Sequence, residues 1–191
     1  DVQLVDVPMG DVQKDRYEYI MGQLGPIEKM ILQGKVEVSD KEMAHIFSKI
    51  VHARRTLNDA SSLGGMDKDE AITKTPKVQK LLSDVNTHLQ QTPDGKAVVY
   101  SNLIKGGLDI IAHGLRKQGV PFGVFIGSGR EIGNIRSTHK VRNQSVEDYK
   151  AGKLKVLLIS GAGAEGLDLK NTTGFFSMDG HWNPERIRQA E

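Results

Sequence analysis

Residues 155–169, KVLLISGAGAEGLDL, decide the fold of this chain. The run 156–159 is aliphatic on both faces, which is typical of a strand buried inside a parallel sheet. A glycine-rich loop follows directly, and an acidic residue, Asp168, stands just beyond it. Such a loop leaves backbone N–H groups free to face an anion, although a tight turn needs the same glycines for steric reasons. The stretch therefore predicts an α/β fold with a loop suited to a ligand at the end of this strand.

Three more apolar runs, at 96–101, 120–127 and 175–179, predict further strands, and a helical stripe at 108–115 lies between the first two. Strands that alternate with helices in this way predict βαβ units, and hence a parallel sheet covered by helices. Ligands of such sheets bind beyond the carboxyl ends of the strands. The residues at these ends are Ser101, Gly127, Ser160 and Asp179.

The first half of the chain differs in composition, because residues 1–95 contain 7 glycines and residues 96–191 contain 14. Val2, Leu4, Val5 and Val7 predict a short strand, and helices are expected from about Asp11, Ser39 and Thr75. We therefore expect an N-terminal strand and helical portion over 1–95, followed by the α/β core over 96–191.

The composition excludes several classes of protein. No run approaches the roughly 20 apolar residues of a membrane span, so no membrane partner is expected. The absence of cysteine excludes disulfide scaffolds, thiol nucleophiles and thiolate metal sites. The net charge of +2 is uninformative, but residues 128–155 hold seven Lys or Arg against three Asp or Glu. That excess suits a phosphate backbone, and it is equally the composition of a solvated loop.

The loop at 161–166 also fits the dinucleotide-binding pattern G-x-G-x-x-G, with Glu185 at a fitting distance for a ribose-binding acid. In that fold the third glycine lies inside a helix of several turns. Here only residues 167–170 separate Gly166 from the turn at 171–174, which leaves no room for a crossover helix. A dinucleotide-binding enzyme is therefore kept only as an alternative.

Four segments together resemble the second RecA-like lobe of superfamily 2 helicases and translocases, and most of all the Swi/Snf-type ATPases. KAVVYSN at 96–102 resembles motif IV, and SGAGAEGLDL at 160–169 resembles motif V. Arg142 with Tyr149 and Gly152 resembles the segment before motif V, and DGHWNP with Gln189-Ala190 resembles the entry to motif VI. The resemblance covers 96–191 well and the first half loosely, and it implies a RecA-like parallel sheet flanked by helices.

The resemblance also assigns candidate site residues. It implies ATP contacts for Gly166, Asp168 and Gln189, although Swi/Snf enzymes usually carry Asn where Asp168 stands. Trp182 fits packing as well as DNA contact, and Arg142 fits a solvated or structural role as well as a nucleic-acid one. The residues that the resemblance places at the nucleic acid are Ser101, Asn102, Arg142, Ser160, Gly161 and Trp182.

The implied function is that of a C-terminal motor lobe of an ATP-dependent helicase or translocase on double-stranded DNA. We expect this chain to be a fragment, with finger arginines beyond Glu191, the Mg²⁺ ligands on a missing N-terminal lobe, and no ATPase activity of its own. The expected location is the cytoplasm or nucleoid in a bacterium or phage, and the nucleus in a eukaryote. A RecA-like module that only binds DNA or protein is the second alternative, and the oligomeric state stays open.

Overall fold

The computed structural model describes residues 3–32, 39–62, 64–161 and 167–179. The chain divides into two compact units, residues 1–77 and 78–191. The compositional boundary near residue 95 lies inside the second unit and remains a prediction for the domain organisation.

The first unit is built from helices that pack through short apolar stripes. Ile20 and Leu24 of the first helical region and Ile46 and Ala53 of the third helix are buried. The side-chain amide of Gln13 donates to the carbonyl of Thr56 at 2.9 Å, which joins the first helix to the end of the third. The helices are α1 Asp11–Gly22, α2 Pro26–Leu32, α3 Asp40–Asn58 and α4 Lys68–Lys74. The starts predicted near Asp11 and Ser39 are confirmed.

The predicted N-terminal strand is wrong for the part of it that the structure describes. Residues 3–10 form neither strand nor helix, and Leu4 is 93% exposed. A strand needs a neighbour for its backbone N–H and C=O groups, and the described part of this unit offers none. The apolar residues of this segment were therefore not sufficient evidence for a strand. Val2 lies outside the described residues.

The second unit contains a four-stranded parallel sheet. Its strands are β1 Ala97–Ser101, β2 Phe122–Phe125, β5 Val156–Ser160 and β6 Gly174–Ser177. Their order in the sheet is β2-β5-β1-β6. Its helices are α5 Pro76–Gln91, which begins at the boundary, α6 Asp109–Lys117 and α7 His139–Lys150. A kinked turn at Ile104–Leu108, non-helical at Lys105 and Gly106, precedes α6. The predicted parallel sheet flanked by helices is confirmed.

The two central strands are buried along their whole length, so both faces of the sheet are covered. Side chains of β1 and β5 that share one face pack against Val146 and Tyr149 of α7. Their neighbours in sequence, such as Val99 and Leu158, point to the opposite face and are equally buried. This burial on both faces explains why 155–160 reads as a continuous apolar run.

The strand order reverses between β1 and β5, and we call the region at the carboxyl ends of these two strands the crevice. From β1 the chain continues to β2 on the far side of β5, whereas from β5 it continues to β6 on the far side of β1. The two connections thus leave neighbouring strands in opposite directions. In open α/β sheets, ligands bind at the carboxyl end of the strands where such a divergence occurs.

A small hairpin between β2 and α7 was not expected from the sequence. Its strands are β3 Glu131–Ile132 and β4 Ile135–Arg136, paired antiparallel around Gly133 and Asn134. Gly133 has a φ of 59°, a conformation that favours glycine at the first central position of a two-residue turn. The Ile-Gly-Asn-Ile pattern was the available signal, and the surrounding charges obscured it.

None of the helices within the described ranges combines the length and apolar character needed to cross a membrane.

Candidate nucleotide and nucleic-acid site

Ser101 and Ser160 end the two strands that border the crevice, and they are register partners. The Ser101 hydroxyl donates to Oδ2 of Asp179 at 2.6 Å and accepts the N–H of Leu103 at 3.1 Å. Ser101 is fully buried, and Ser160 is 5% exposed. The structure therefore brings both predicted serines to the crevice, and it engages the Ser101 hydroxyl in holding the end of β1.

Asp179 ties β1 to the segment that follows β6. Besides the Ser101 hydroxyl, its Oδ2 accepts the backbone N–H of Asn102 at 2.8 Å. The backbone N–H of Met178 donates to the carbonyl of Tyr100 at 2.9 Å, one residue further in. Asp179 thus sets the position of the first residue beyond β1, at the mouth of the crevice.

Asn102 is exposed at this mouth with a fixed amide orientation. Its Oδ1 accepts a hydrogen bond from the Tyr100 hydroxyl at 2.9 Å. With Oδ1 on the Tyr100 hydroxyl, the Nδ2 donor lies on the other side of the amide group, on a residue that is exposed. Nδ2 donates to no side chain or backbone group within the described ranges, so it can bind an acceptor such as a phosphate oxygen.

Gly161 begins the glycine-rich loop close to the side chains of Asn102 and Tyr100, which would have to shift to admit a Cβ. A Cβ there would lie 2.9 Å from Oδ1 of Asn102 and 3.0 Å from the Tyr100 hydroxyl. Gly107 is constrained similarly, since its Cβ would lie 2.7 Å from Oγ of Ser101. Both glycines let backbone approach the polar groups at the carboxyl end of β1.

Arg142 lies in the first turns of α7, close to the carboxyl end of β2. Thr138 caps this helix, and its Oγ1 accepts the N–H of Val141 at 3.2 Å. The Arg142 guanidinium lies 5.6 Å from the centre of the Phe125 ring, and its buried Nε has no hydrogen-bond partner in the described part of the chain. The packing on Phe125 supports a structural role, and the remaining guanidinium donors leave a nucleic-acid role open.

The basic stretch at 128–155 does not form one surface. Helix α7 is 12 residues long, so its two ends stand about 18 Å apart. The cations before and at its start lie toward the carboxyl edge of the sheet, whereas those at and after its end lie toward the amino edge. The first group is Arg130, Arg136, Lys140 and Arg142, and the second is Lys150, Lys153 and Lys155.

Asp168 is the one predicted ATP contact that the structure describes. Its carboxylate is 60% exposed and lies 3.2 Å from the Lys170 ammonium. Residues 167–173 contain no helix, which agrees with the argument against a dinucleotide fold. Gly166, Gln189 and Trp182 lie outside the described residues, so their roles stay predictions.

Mg²⁺ is the metal that the predicted ATP site requires. In the described part of the chain, no group of three or more His, Asp or Glu side chains comes together in an arrangement that could hold a metal ion. The expectation that Mg²⁺ ligands belong to another lobe remains a prediction.

Sequence reasoning missed the support that Tyr100 and Asp179 give to the predicted residues. Tyr100 belongs to the apolar run 96–101, and nothing in that run indicates that its hydroxyl binds Asn102. Asp179 was noted as the end of a strand, but its bonds to Ser101 and Asn102 span 78 and 77 residues. A polar residue directly after each predicted strand was the available signal, and strand order was needed to pair them.

The chain is similar to several known proteins. The C-terminal domain of a SWI2/SNF2 ATPase from Sulfolobus solfataricus aligns over 92% of this chain and 70% of that one, with 14% identity and a TM-score of 0.67. A SWI2/SNF2 ATPase core from the same organism, solved with double-stranded DNA, aligns over 94% of this chain and 35% of that one, with 16% identity and a TM-score of 0.70. These likenesses concern the fold.

A curated relative is the "Putative ATP-dependent RNA helicase L538" of Acanthamoeba polyphaga mimivirus, 30% identical over 188 residues. The alignment covers 96% of this chain and 37% of that relative, so the chain spans little more than a third of its length. The family model named "Helicase conserved C-terminal domain" matches residues 74–191, which include the whole parallel sheet and the crevice. With more than half of its residues in that match, the chain belongs to the helicase C-terminal domain family and has its RecA-like fold.

Proposed function

We propose that this chain is the C-terminal motor lobe of an ATP-dependent translocase or helicase of the Swi/Snf-like group that acts on double-stranded DNA. The observation that carries the proposal is the crevice between β1 and β5, where Asn102 is held by Tyr100 and Asp179 with its Nδ2 donor facing outward. A donor fixed in this way positions a phosphate without reading a base, as a motor that moves along any sequence requires.

The lobe has two tasks in this proposal. Asn102 and Ser160 with Gly161 lie at the crevice and contact a DNA strand, while Arg142 at the neighbouring β2 supports them. Gly166, Asp168 and Gln189 supply half of an ATP site, with Asp168 accepting a ribose hydroxyl. Water attacks the γ-phosphate only when a second lobe closes on this half, because the 191-residue sequence contains no G-x-x-x-x-G-K-[ST] loop.

Mg²⁺ would neutralise charge on the phosphates during this reaction. The described residues do not hold such an ion, so in this proposal its ligands come from the other lobe.

We propose double-stranded DNA as the nucleic acid along which this motor moves, although the curated relative carries the words RNA helicase in its name. The choice draws on the Swi/Snf-like motifs and on the SWI2/SNF2 core that was solved with double-stranded DNA. Both nucleic acids present phosphates, so the fixed Asn102 donor suits either. Tighter binding to an RNA duplex than to a DNA duplex of the same sequence would contradict the choice.

The test compares DNA binding by the 191-residue chain and its Asn102→Ala variant over a range of salt concentrations. We expect binding that weakens steeply with salt, and a loss of about tenfold in affinity for the variant, since one phosphate donor and its fixed geometry are removed. Lys153→Ala, which changes an exposed residue at the opposite edge, is the control. An equal loss in both variants would refute a role for the crevice.

The isolated chain should show no ATP hydrolysis. DNA-stimulated turnover by this chain alone, lost on mutation of Gly166 or Asp168, would overturn the half-site proposal. Micromolar binding of NAD in a calorimetric titration would instead favour a dinucleotide-binding enzyme.

A further inference from the structure

The β3–β4 hairpin is held rigidly at its base. The Ser137 hydroxyl is buried and donates to the carbonyl of Ile126 at 2.9 Å, directly after β2. The N–H of Ser137 donates to the carbonyl of Arg130 at 2.7 Å, and the N–H of Gly129 donates to the carbonyl of Ser137 at 2.8 Å. The two ends of the hairpin are therefore fastened to each other and to the end of β2.

The turn of the hairpin has a second attachment. The Arg116 guanidinium at the end of α6 lies 5.4 Å from the centre of the Phe122 ring and donates to Oδ1 of Asn134 at 3.3 Å. Ile132 is fully buried and pairs with Ile135, which is half-buried, so this cross-strand pair faces the protein. Attachment at both ends and along one face fixes the orientation of the other face.

That other face is basic. Glu131 and Arg136 are register partners on the side opposite the isoleucines, and Arg130 is exposed at the base. Lys140 is exposed in the first turn of α7, next to the base. No ion pair joins Arg130, Arg136 or Lys140 to an acidic side chain within the described ranges.

Because these cations stand on an attached hairpin and make no ion pair within the described ranges, their N–H donors are available to an anion. The three cations occupy a short rigid surface against one carboxylate, Glu131. Two of them are arginines, whose planar guanidinium groups match phosphate oxygens in bidentate geometry. The partner that fits this surface is a chain of phosphates.

We propose that Arg130, Arg136 and Lys140 form a basic hairpin surface that contacts the phosphate backbone of the nucleic acid next to the crevice. The hairpin surface lies beyond β2, the outermost strand of the sheet, at the same carboxyl edge as the crevice. It would lengthen the contact with the nucleic acid from the ends of β1 and β5 to a position beyond β2. The surface therefore adds contact length without base recognition. This inference rests on the proposed function, because it assumes that a nucleic acid lies at the carboxyl edge.

The test measures the affinity of the 191-residue chain for a short DNA duplex by fluorescence anisotropy at several salt concentrations. The variant Arg130→Gln with Arg136→Gln removes two charges from the hairpin. The matched control, Lys150→Gln with Lys153→Gln, removes two charges at the other end of α7. Thermal unfolding of both variants verifies that the fold is retained.

We expect the hairpin variant to reduce the slope of log affinity against log salt by about two, since each phosphate contact contributes about 0.9. The control should leave the slope within about 0.5 of the original value, because its charges face away from the bound strand. Equal reductions in both variants would overturn the hairpin surface and indicate attraction by net charge alone.

The hairpin proposal and the proposed function can fail separately. If Asn102→Ala weakens binding and the hairpin variant leaves the slope unchanged, the hairpin proposal is wrong and the function stands. If the unmodified chain binds no DNA duplex and no RNA duplex, both are wrong.

Discussion

The two edges of the four-stranded sheet use their polar groups differently. At the amino edge, Oγ1 of Thr173 accepts the N–H of Lys96 and donates to its carbonyl, and it also lies 2.7 Å from Nε2 of His88. The Lys96 ammonium donates to the carbonyl of Lys150 at 3.0 Å and lies over the Tyr149 ring. These groups satisfy one another and connect β1, β6, α5 and α7.

At the carboxyl edge, hydrogen bonds join Ser101, Asp179, Asn102 and Tyr100. These bonds hold Asn102 in place and do not use its Nδ2 donor. The Nδ2 of Asn102 projects from this support, and the cations of the hairpin surface lie beyond β2 on the same edge. The amino edge therefore contributes to stability, and the carboxyl edge uses part of its hydrogen bonding to present groups to a ligand. Four comparisons test this contrast.

The largest effect is expected from Gly107→Ala at the carboxyl edge. The added Cβ would lie 2.7 Å from Oγ of Ser101 and 3.0 Å from Cβ of Leu103, in a fully buried corner. We expect a loss of about 2–3 kcal/mol in the free energy of unfolding, measured by urea denaturation. Gly22→Ala is the control, since nothing lies within 4 Å of that site, and it should be neutral or slightly stabilising. Equal stability of the two variants would show that the corner can open at little cost.

The next comparison removes one hydroxyl from each edge. Ser101→Ala leaves the N–H of Leu103 unpaired and removes the hydroxyl donor to Oδ2 of Asp179, which keeps the N–H of Asn102. Thr173→Val leaves the N–H of Lys96 without its side-chain partner. Each change should cost about 1–2 kcal/mol of stability in urea denaturation. Only Ser101→Ala should also weaken DNA binding, because it loosens the support of Asn102. Equal losses of DNA affinity would remove the distinction between the edges.

A smaller effect concerns Tyr149 at the amino edge and alkaline pH. Burial raises the pKa of its phenol above the usual 10.0, while the hydrogen bond with Thr172 acts in the opposite direction. Because the unfolded chain then releases this proton first, the related stability is present below pH 10.0 and is lost as the pH rises through the folded pKa. Urea denaturation between neutral and alkaline pH should show a shallower decline for Tyr149→Phe. An identical decline in the two proteins would contradict the assignment.

The smallest effect is expected for Asp168, whose carboxylate is exposed and paired only with Lys170 among described groups. Asp168→Ala should change the free energy of unfolding by less than about 0.5 kcal/mol in thermal or urea denaturation. A larger loss would indicate a structural role for Asp168 in place of the proposed contact with a ribose. Lys170→Ala, which removes the other partner, is the matched control.

Much of the second unit could be predicted because its signals are local. The aliphatic run at 156–159 and the alternation of strands with helices indicated a parallel sheet, and the residues after β1 and β5 were identified as the ligand side. The N-terminal strand was predicted by the same reasoning and failed. An apolar alternation is compatible with a strand, but it contains no information about whether a neighbouring strand is available to pair with it.

Only part of the candidate site could be predicted from the sequence alone. Ser101 and Ser160 end strands and could be named from the sequence, whereas Asn102, Gly166, Gln189 and Trp182 depend on a resemblance. The functional roles of all six residues stay predictions. The charge count over 128–155 was correct as a count, yet α7 separates its cations by the length of a helix. A sum of charges over a sequence window does not show where each charge lies in the fold, because that depends on the direction in which the chain runs.

The sequence by itself determined the parallel α/β core, since burial on both faces requires aliphatic runs and crossover connections require helices between them. It also determined which polar residues end the strands. Only the tertiary structure decided that Asp179 holds Ser101 and Asn102, that Tyr100 turns the Asn102 donor outward, and that a hairpin directs arginines away from the protein. The reason is physical: periodicity acts over a few residues, whereas strand order and side-chain partners are set by packing between segments far apart in the chain.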